Sequence, residues 1–543
     1  MIKVGAQYYR PPFPISKYWQ EDMKKMKDNG FNCLQLWVLW SWVEAKPGKF
    51  DFSDYDKLVE TAAENNLEVI LSIIAEVHPY WIHRVIPDCE LVTNKGHKVV
   101  SENRNECHNG LTPGGCFDHP EVWKRMSEFI TQTVNHYEKT TNLAGWDAWN
   151  ETRWNVGSDN PVCYCLHTLQ RFRKWLDERF GGLDGLNDAW LRRYDSWEDV
   201  RPGKIPPRPY TEMMAFEHFL TWRSDMHALD RLKLIKAVDK KRTVSIHGCS
   251  SSVNYVGNHE DQAINRGNDW NFTDHYDGIG VSNFPMWGRM PHANFAVNIE
   301  LARSAAGNKK LWLSELQGGR ANFGFWKQQP VPALRQQRWI WNGISAKSDA
   351  ILFWCWRDEI FGGESSGFGI AGDDGQADQR LKAMRKTMNI LEKNSDFFDN
   401  MELPEPEVGI FFSPQTYYLY WAQEATAKRV SNSIHGYCKA LTCKSVPYKI
   451  IEEEHLSALY KIKILFIPRC NVMSEKTMDA IIEFIKNGGT VFCECETGLW
   501  DTRGIYRYPN ERFSAKFAAI MELGKRYLPD DKETIQIKVQ TCK

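Results

Sequence analysis

The chain's 543 residues exceed what one compact core accommodates, because single cores stop growing near ~250–300 residues, so at least two domains are expected. Its 68 Lys and Arg against 69 Asp and Glu leave a net charge of −1, which excludes the broad basic field of a nucleic-acid binder. No run of about 18 apolar residues is present, so no membrane span or membrane partner is expected. The opening Met1-Ile2-Lys3-Val4-Gly5-Ala6 lacks a charged-then-apolar leader, which gives a cytoplasmic location as the expectation. The 14 cysteines are scattered through an enzyme-sized chain, against a disulfide scaffold.

Taken in chain order, short apolar runs without clean alternation fall at 3–8, 33–37, 68–73, 145–149, 243–247, 278–282, 310–314 and 350–354. That pattern suits parallel strands buried on both faces. Amphipathic helical patterns lie between them, for example at 19–29, 54–65, 121–137 and 331–345. Eight strands alternating with helices over residues 1–398 predict a (β/α)₈ TIM barrel, with a doubly wound sheet as the alternative from pattern alone. A Pro-rich acidic stretch, Glu402-Leu403-Pro404-Glu405-Pro406-Glu407, marks a linker over 399–407. After it, residues 408–543 carry a second α/β pattern: strands at 408–412, 462–467 and 490–495, and helices at 431–441 and 476–487. This predicts a smaller Rossmann-like domain. No Gly-rich phosphate fingerprint opens its helices, so no nucleotide is expected there.

In a TIM barrel the chemistry sits at the C-terminal ends of the strands. Two such ends carry a carboxylate: Trp149-Asn150-Glu151 after the fourth strand and Ser314-Glu315 after the seventh. Glycoside cleavage needs two carboxyl groups, one to protonate the leaving oxygen and one to attack the anomeric carbon. The fourth and seventh strands face each other across the barrel mouth, so the pair can converge. Asn150 can hydrogen-bond a sugar 2-hydroxyl, a contact that strengthens in the transition state. Sugars stack their C–H faces on rings, and 13% of the chain is aromatic. Trp287, Trp326, Trp354 and Trp356 are candidates for a sugar platform, Trp354 falling inside a strand-like run. His247, Asn283 and Arg357 are further pocket candidates at strand ends.

Several segments resemble glycoside hydrolase family 42, the β-galactosidases of clan A. They are the run from Trp40-Ser41-Trp42-Val43-Glu44 to Gly48-Lys49-Phe50-Asp51-Phe52, His78-Pro79-Tyr80-Trp81, Trp149-Asn150-Glu151, Cys163-Tyr164-Cys165 followed by Phe172-Arg173-Lys174-Trp175-Leu176, and Asp373-Asp374-Gly375. The second domain is similar to that family's trimerisation domain. The resemblance implies an exo-acting, retaining β-galactosidase that acts on an oligosaccharide or glycoside as a homotrimer. Glu151 would be its acid/base and Glu315 its nucleophile, with Arg104, Glu364 and the residue at 323 among the sugar contacts.

Two departures bear on the sugar. Phe323 stands where the family places a galactose-contacting Trp. Glu364-Ser365-Ser366-Gly367 keeps the Glu of the family's Glu-x-x-His but ends in Gly. An α-L-arabinopyranosidase, β-glucosidase or β-mannosidase, and a non-catalytic carbohydrate-binding barrel, stay open as alternatives. The family also implies a structural zinc, with no cofactor for catalysis. Its third loop cysteine is Thr168 here, but Cys107, Cys116, Cys163 and Cys165 supply four thiols, with His108 or His167 as substitutes.

Overall fold

The computed structural model describes residues 2–99, 114–152, 160–204, 209–254, 266–321, 325, 329–360 and 364–518. Three expected site residues, Arg104, Cys107 and Phe323, lie outside them, as do His108 and Trp326.

The strands in chain order are β1 Lys3–Tyr9, β2 Cys33–Leu39, β3 Glu68–Ile74, a small hairpin of β4 Leu91–Val92 and β5 Lys98–Val99, then β6 Leu143–Asp147, β7 Thr243–Gly248, β8 Gly278–Asn283, β9 Lys310–Gln317 and β10 Ala350–Trp354. Leaving aside the hairpin, eight of them close a parallel barrel in the order β1-β10-β9-β8-β7-β6-β3-β2. The doubly wound alternative is therefore set aside.

Side chains alternate across a strand, so every second residue points inward. Cys33, Ile70, Trp312, Ala350 and Leu352 form a small cluster of their own on that inner face. Their neighbours Leu34, Val69, Leu311, Leu313 and Ile351 join the large cluster beneath the helices. Above the inner cluster lies a polar layer. Gln35 donates to Ser72 Oγ at 2.7 Å, and Ser72 donates to Asp147 Oδ2 at 2.9 Å. Above that, Trp37, Ile74 and Trp354 belong to an aromatic-rich cluster at the mouth, which also holds Phe368 with Phe284 packed on it.

The second domain is a four-stranded parallel sheet in the order β12-β11-β13-β14, from β11 Val408–Phe412, β12 Tyr448–Glu452, β13 Ile464–Ile467 and β14 Thr490–Cys493. It packs on the barrel through the long helix Tyr210–Val238, which buries residues on all its faces, among them Met213, Phe216, Leu220, Leu232 and Ile235. A helix apolar all round is a helix enclosed on all sides. One apolar cluster joins Met213, Met214, Trp270, Val297 and Leu301 of the barrel to Ile410, Phe412, Tyr417 and Ile450 of the second domain. Polar links cross the same seam. Tyr418 OH lies 2.9 Å from Thr221 Oγ1, and Asn268 Nδ2 donates to Glu452 Oε1 at 3.1 Å.

His455 clasps the seam. Its Nδ1 lies 2.6 Å from Glu452 Oε2 and its Nε2 3.2 Å from Asp274 Oδ2 on the barrel side. Burial opposes the imidazolium, but the hydrogen bonds and charges of Glu452 and Asp274 outweigh it and raise the pKa from 6.5 to about 9. A folded-state pKa raised in this way gives stability that is fully present below pH 6.5 and lost as pH rises through 9. The side chain is partly exposed, so the expected loss is about 1–2 kcal/mol. Chemical denaturation at pH 6 and pH 9.5 should show that slope in the native sequence and a flatter one in His455→Gln. Equal slopes in the two proteins would remove the clasp.

Candidate active site

The turn after β6 carries Asn150 and Glu151, and its backbone continues alongside β7. Ala148 N donates to Ser245 O at 2.9 Å, His247 N to Trp149 O at 3.1 Å and Thr152 N to His247 O at 3.1 Å. A buried ion pair backs the turn. Arg231 Nη1 donates to Glu76 Oε2 at 3.1 Å and to Ala148 O at 3.2 Å, while Glu76 Oε1 accepts from Asn150 N at 3.2 Å. The Arg231 guanidinium lies 4.3 Å over the Trp149 ring. Glu151 takes a left-handed backbone with φ 41°, sparsely populated by residues other than glycine.

Glu315 reaches the same space from β9 through an irregular register. Val281 pairs with Leu313 but Ser282 with Glu315, and on the other edge Ile351 pairs with Leu313 but Phe353 with Leu316. The extra residue is seen from both neighbours, so it is a bulge in β9, and a bulge re-aims a side chain. Gly280 makes room for it, since a Cβ there would collide with Ser314 Oγ.

Both carboxyl groups are buried, and Glu151, His247 and Glu315 each place one polar side-chain atom within 4.8 Å of the other two. Ser282 donates to Glu151 Oε1 at 2.7 Å. Burial first, then the charge of Glu151 and that of Glu364, push the Glu315 carboxyl well above the usual range, with Arg10 pulling the other way. Two like charges this close in a buried site oppose each other's ionisation, which favours keeping one proton at the site. One protonated and one ionised carboxyl group is the state that double displacement starts from. Beneath them Asp147 is pushed up to about 8, chiefly by burial, against the lowering hydrogen bond from Ser72.

Arg10, at the end of β1, was missed in the sequence. It pairs with Glu359 and, at 3.0 Å, with Glu364, and its guanidinium lies 5.0 Å over the Trp354 ring. A single charge directly after an apolar strand is the signal that would have found it. Glu364 is thus tied to Arg10 at the mouth. Trp287 is 38% exposed and packs edge-on to Phe284 at 5.7 Å, a ring free to meet a ligand. Trp356 corrects its expectation. It is fully buried against Phe31 at 5.5 Å in the outer core, so it offers no face to a sugar. Its position two residues beyond β10 turns it outward, away from the mouth. Arg357 is likewise structural, gripping Asp22 with Nε at 2.6 Å and Nη2 at 2.8 Å. Asn283 is buried at the end of β8, and neither its Oδ1 nor its Nδ2 has a partner among the described residues. Buried amides seldom stay unpaired, which makes Asn283 a candidate to meet a ligand.

A second cluster lies beside the barrel. The sulfurs of Cys116, Cys163 and Cys165 stand within 4.8 Å of one another. Cys163 Sγ accepts from Val92 N at 3.4 Å and from Cys165 N at 3.5 Å, and Cys165 Sγ accepts from Thr168 N at 3.4 Å. Thr168 Oγ1 lies 3.4 Å from Cys116 Sγ and 3.3 Å from Cys165 Sγ, and donates to Asp118 Oδ2 at 2.7 Å. Asp118 in turn receives Arg171 at 2.8 Å and Arg223 at 3.3 Å. Three converging thiols with N–H donors aimed at two of the sulfurs fit a zinc thiolate centre. The fourth expected thiol, Cys107, lies outside the described residues. His167 packs edge-on against His119 at 4.3 Å and is not part of the three-thiol group.

Comparison with known proteins points to one family. Residues 8–394 match the family model described as Beta-galactosidase, and residues 406–524 match the Beta-galactosidase trimerisation domain. β-Galactosidase bgaB of Geobacillus kaustophilus is 22% identical over 516 residues, covering 92% of this chain and 72% of the relative. β-Galactosidase LacZ of Heyndrickxia coagulans is 23% identical over 519 residues, covering 91% and 71%. Among solved structures, the β-galactosidase of the haloarchaeon Halorubrum lacusprofundi superposes with a TM-score of 0.81 at 18% identity, over 95% of this chain and 76% of that one. The exo-carrageenase of Bacteroides ovatus superposes with a TM-score of 0.67 at 15% identity, over 93% and 66%. With the family model spanning more than half of the sequence, the chain belongs to glycoside hydrolase family 42 and is a glycoside hydrolase.

Proposed function

We propose that this enzyme is a retaining, exo-acting β-galactosidase in which Glu315 attacks the anomeric carbon and Glu151 serves as acid and then base. The approach of the two buried carboxyl groups to within 4.8 Å carries the reading. Retaining pairs stand about 5–5.5 Å apart, whereas inverting pairs leave about 6.5–9.5 Å for a water. In the first step Glu151 protonates the departing oxygen while Glu315 forms the glycosyl-enzyme. In the second, Glu151 draws a proton from water, which releases the sugar with its configuration kept. Asn150 Nδ2 and Asn283, unpartnered among the described residues, supply donors and acceptors for sugar hydroxyls. A site built on such groups rejects a sugar that leaves them unpaired.

A second reading, a β-glycosidase for another sugar, is favoured by Gly367. No imidazole stands there to complement Glu364, and Arg10 takes up one oxygen of Glu364 instead. A panel of nitrophenyl β-galactoside, α-L-arabinopyranoside, β-glucoside, β-mannoside and β-fucoside separates the two. The β-galactoside should lead, and a dominant rate on another sugar would move the specificity there. Glu315→Gln should abolish turnover. Glu151→Gln should lose roughly 10²–10⁴-fold on glycosides with poor leaving groups and far less in the first step with activated ones. Near-normal activity in Glu315→Gln would end the assignment.

We also infer a structural zinc held by Cys116, Cys163 and Cys165, with Cys107 or His108 as the fourth ligand. When bound, the metal braces the loops around the three thiols, and the displacement at Glu151 and Glu315 does not draw on it. Elemental analysis of the purified enzyme should find about one zinc per chain, lost in Cys165→Ser together with some thermal stability. A metal-free native protein would leave the thiols as ordinary core residues. The match of the second domain supports a homotrimer. Light scattering should give three times the chain mass, and a monomer would refute it.

A further inference from the structure

The acid/base carboxyl does not stand alone. Ser282 joins Glu151 Oε1, at 2.7 Å, to His247 Nε2, at 2.9 Å, and His247 Nδ1 lies 2.7 Å from Asn150 Oδ1. The four side chains come from the ends of three adjacent strands, and His247 is fully buried. Each link has a direction, so the protons along it can be counted. An amide oxygen only accepts, so Nδ1 must carry a hydrogen to bond Asn150 Oδ1. That leaves Nε2 as the variable site.

Two arrangements satisfy every link with the same number of protons. In one, Glu151 is a carboxylic acid that donates to Ser282, whose hydroxyl donates to Nε2 of a neutral imidazole. In the other, the Glu151 proton has passed to Ser282 Oγ as the hydroxyl proton passed to Nε2. Glu151 is then a carboxylate accepting from Ser282, and His247 is an imidazolium. No proton enters or leaves, and one positive charge has moved from the carboxyl group to the imidazole. Nδ1–H holds the Asn150 amide in the same orientation in both, with Nδ2 turned outward and unpartnered among the described residues.

We propose that His247 and Ser282 are positioning residues that share the acid proton with Glu151 and keep Asn150 aimed at the sugar. This rests on the assignment of Glu151 as acid/base. The chain answers the repulsion of the facing Glu315. An imidazolium placed within 4.8 Å of both carboxyl groups supports their ionised forms. Among the described residues, the other titratable and charged groups around the pair are Asp147 below, Glu76 with Arg231 behind the turn, and Arg10 with Glu364 across the mouth. Of these groups, only His247 is linked to Glu151 through a hydroxyl that can pass a proton.

The test uses the full chain with Ser282→Ala, Ser282→Thr and His247→Gln. Without the Ser282 hydroxyl the carboxylate form of Glu151 loses a donor. The basic limb of kcat/KM should then move to higher pH by roughly half a unit or more. Poor leaving groups, which need a well-placed acid, should lose about tenfold in kcat/KM, and a dinitrophenyl glycoside much less. Threonine keeps the hydroxyl and should restore both the limb and the leaving-group dependence. An unmoved limb with equal loss on both substrates would overturn the proposal. Should Ser282→Ala fail to fold, His247→Gln carries the same two readouts, and ¹⁵N-histidine NMR of the native chain follows the Nε2 proton directly. If the native chain hydrolysed no glycoside, the functional assignment would fall first. The NMR titration would then decide whether Glu151 and His247 still share a proton.

Discussion

Two negative groups held together out of water is the condition that the rest of the barrel mouth answers. Glu151 and Glu315 are buried within reach of each other, and burial alone drives both towards neutrality. The surrounding structure decides how far that goes. Arg10 faces Glu315 from β1, Ser282 donates to Glu151 from β8, and His247 stands behind Ser282. Each comes from a different strand, so the electrostatics of the pair depend on the closure of the whole barrel. The bulge in β9 and the glycine beside it are part of the same solution, since they let Glu315 turn towards its partner.

The support behind the Glu151 turn is as demanding as the site itself. Arg231 and Glu76 are both buried, and together they hold the carbonyl of Ala148 and the amide of Asn150. A buried ion pair adds little net stability over an apolar pair of the same volume, yet loss of one partner alone leaves an uncompensated charge. Its use here is directional: it fixes the turn on which Glu151 takes its left-handed backbone. The long helix Tyr210–Val238 supplies that arginine from one side and packs against the second domain from the other.

Much of this was legible in the sequence, and the losses have physical causes. All eight barrel strands show as short apolar runs, because parallel strands covered on both faces need no alternation. Their ends were less clear. β9 runs on to Gln317 past the expected stop at Ser314, since a bulge has no periodic signature, whereas β6 stops at Asp147, short of Trp149. The two carboxylates that meet at the mouth, Glu151 and Glu315, were nonetheless singled out, because each follows its apolar run within two residues. Arg10 does too, but without a motif around it. Trp356 misled because two residues past a strand end can face either way, and packing on Phe31 decided for the core. In the second domain, β12 Tyr448–Glu452 and the helix Pro414–Glu424 escaped notice. That helix is buried along most of its length, so it carries no amphipathic stripe to read. Of the four expected thiols, three converge, a contact between distant segments that spacing alone cannot give.

The shared helix has a consequence for how the molecule can be taken apart. Linker and composition invite a cut near residue 400, as though barrel and sheet were interchangeable parts. A barrel released there would bare Met213, Met214, Trp270, Val297 and Leu301 in one contiguous apolar patch, and patches of that kind drive aggregation. The sheet domain would lose the matching face of Phe412, Tyr417 and Ile450. Grafting either half onto another partner would therefore require redesign of the seam, and shortening the protein for practical use is better sought in its loops than at the visible joint.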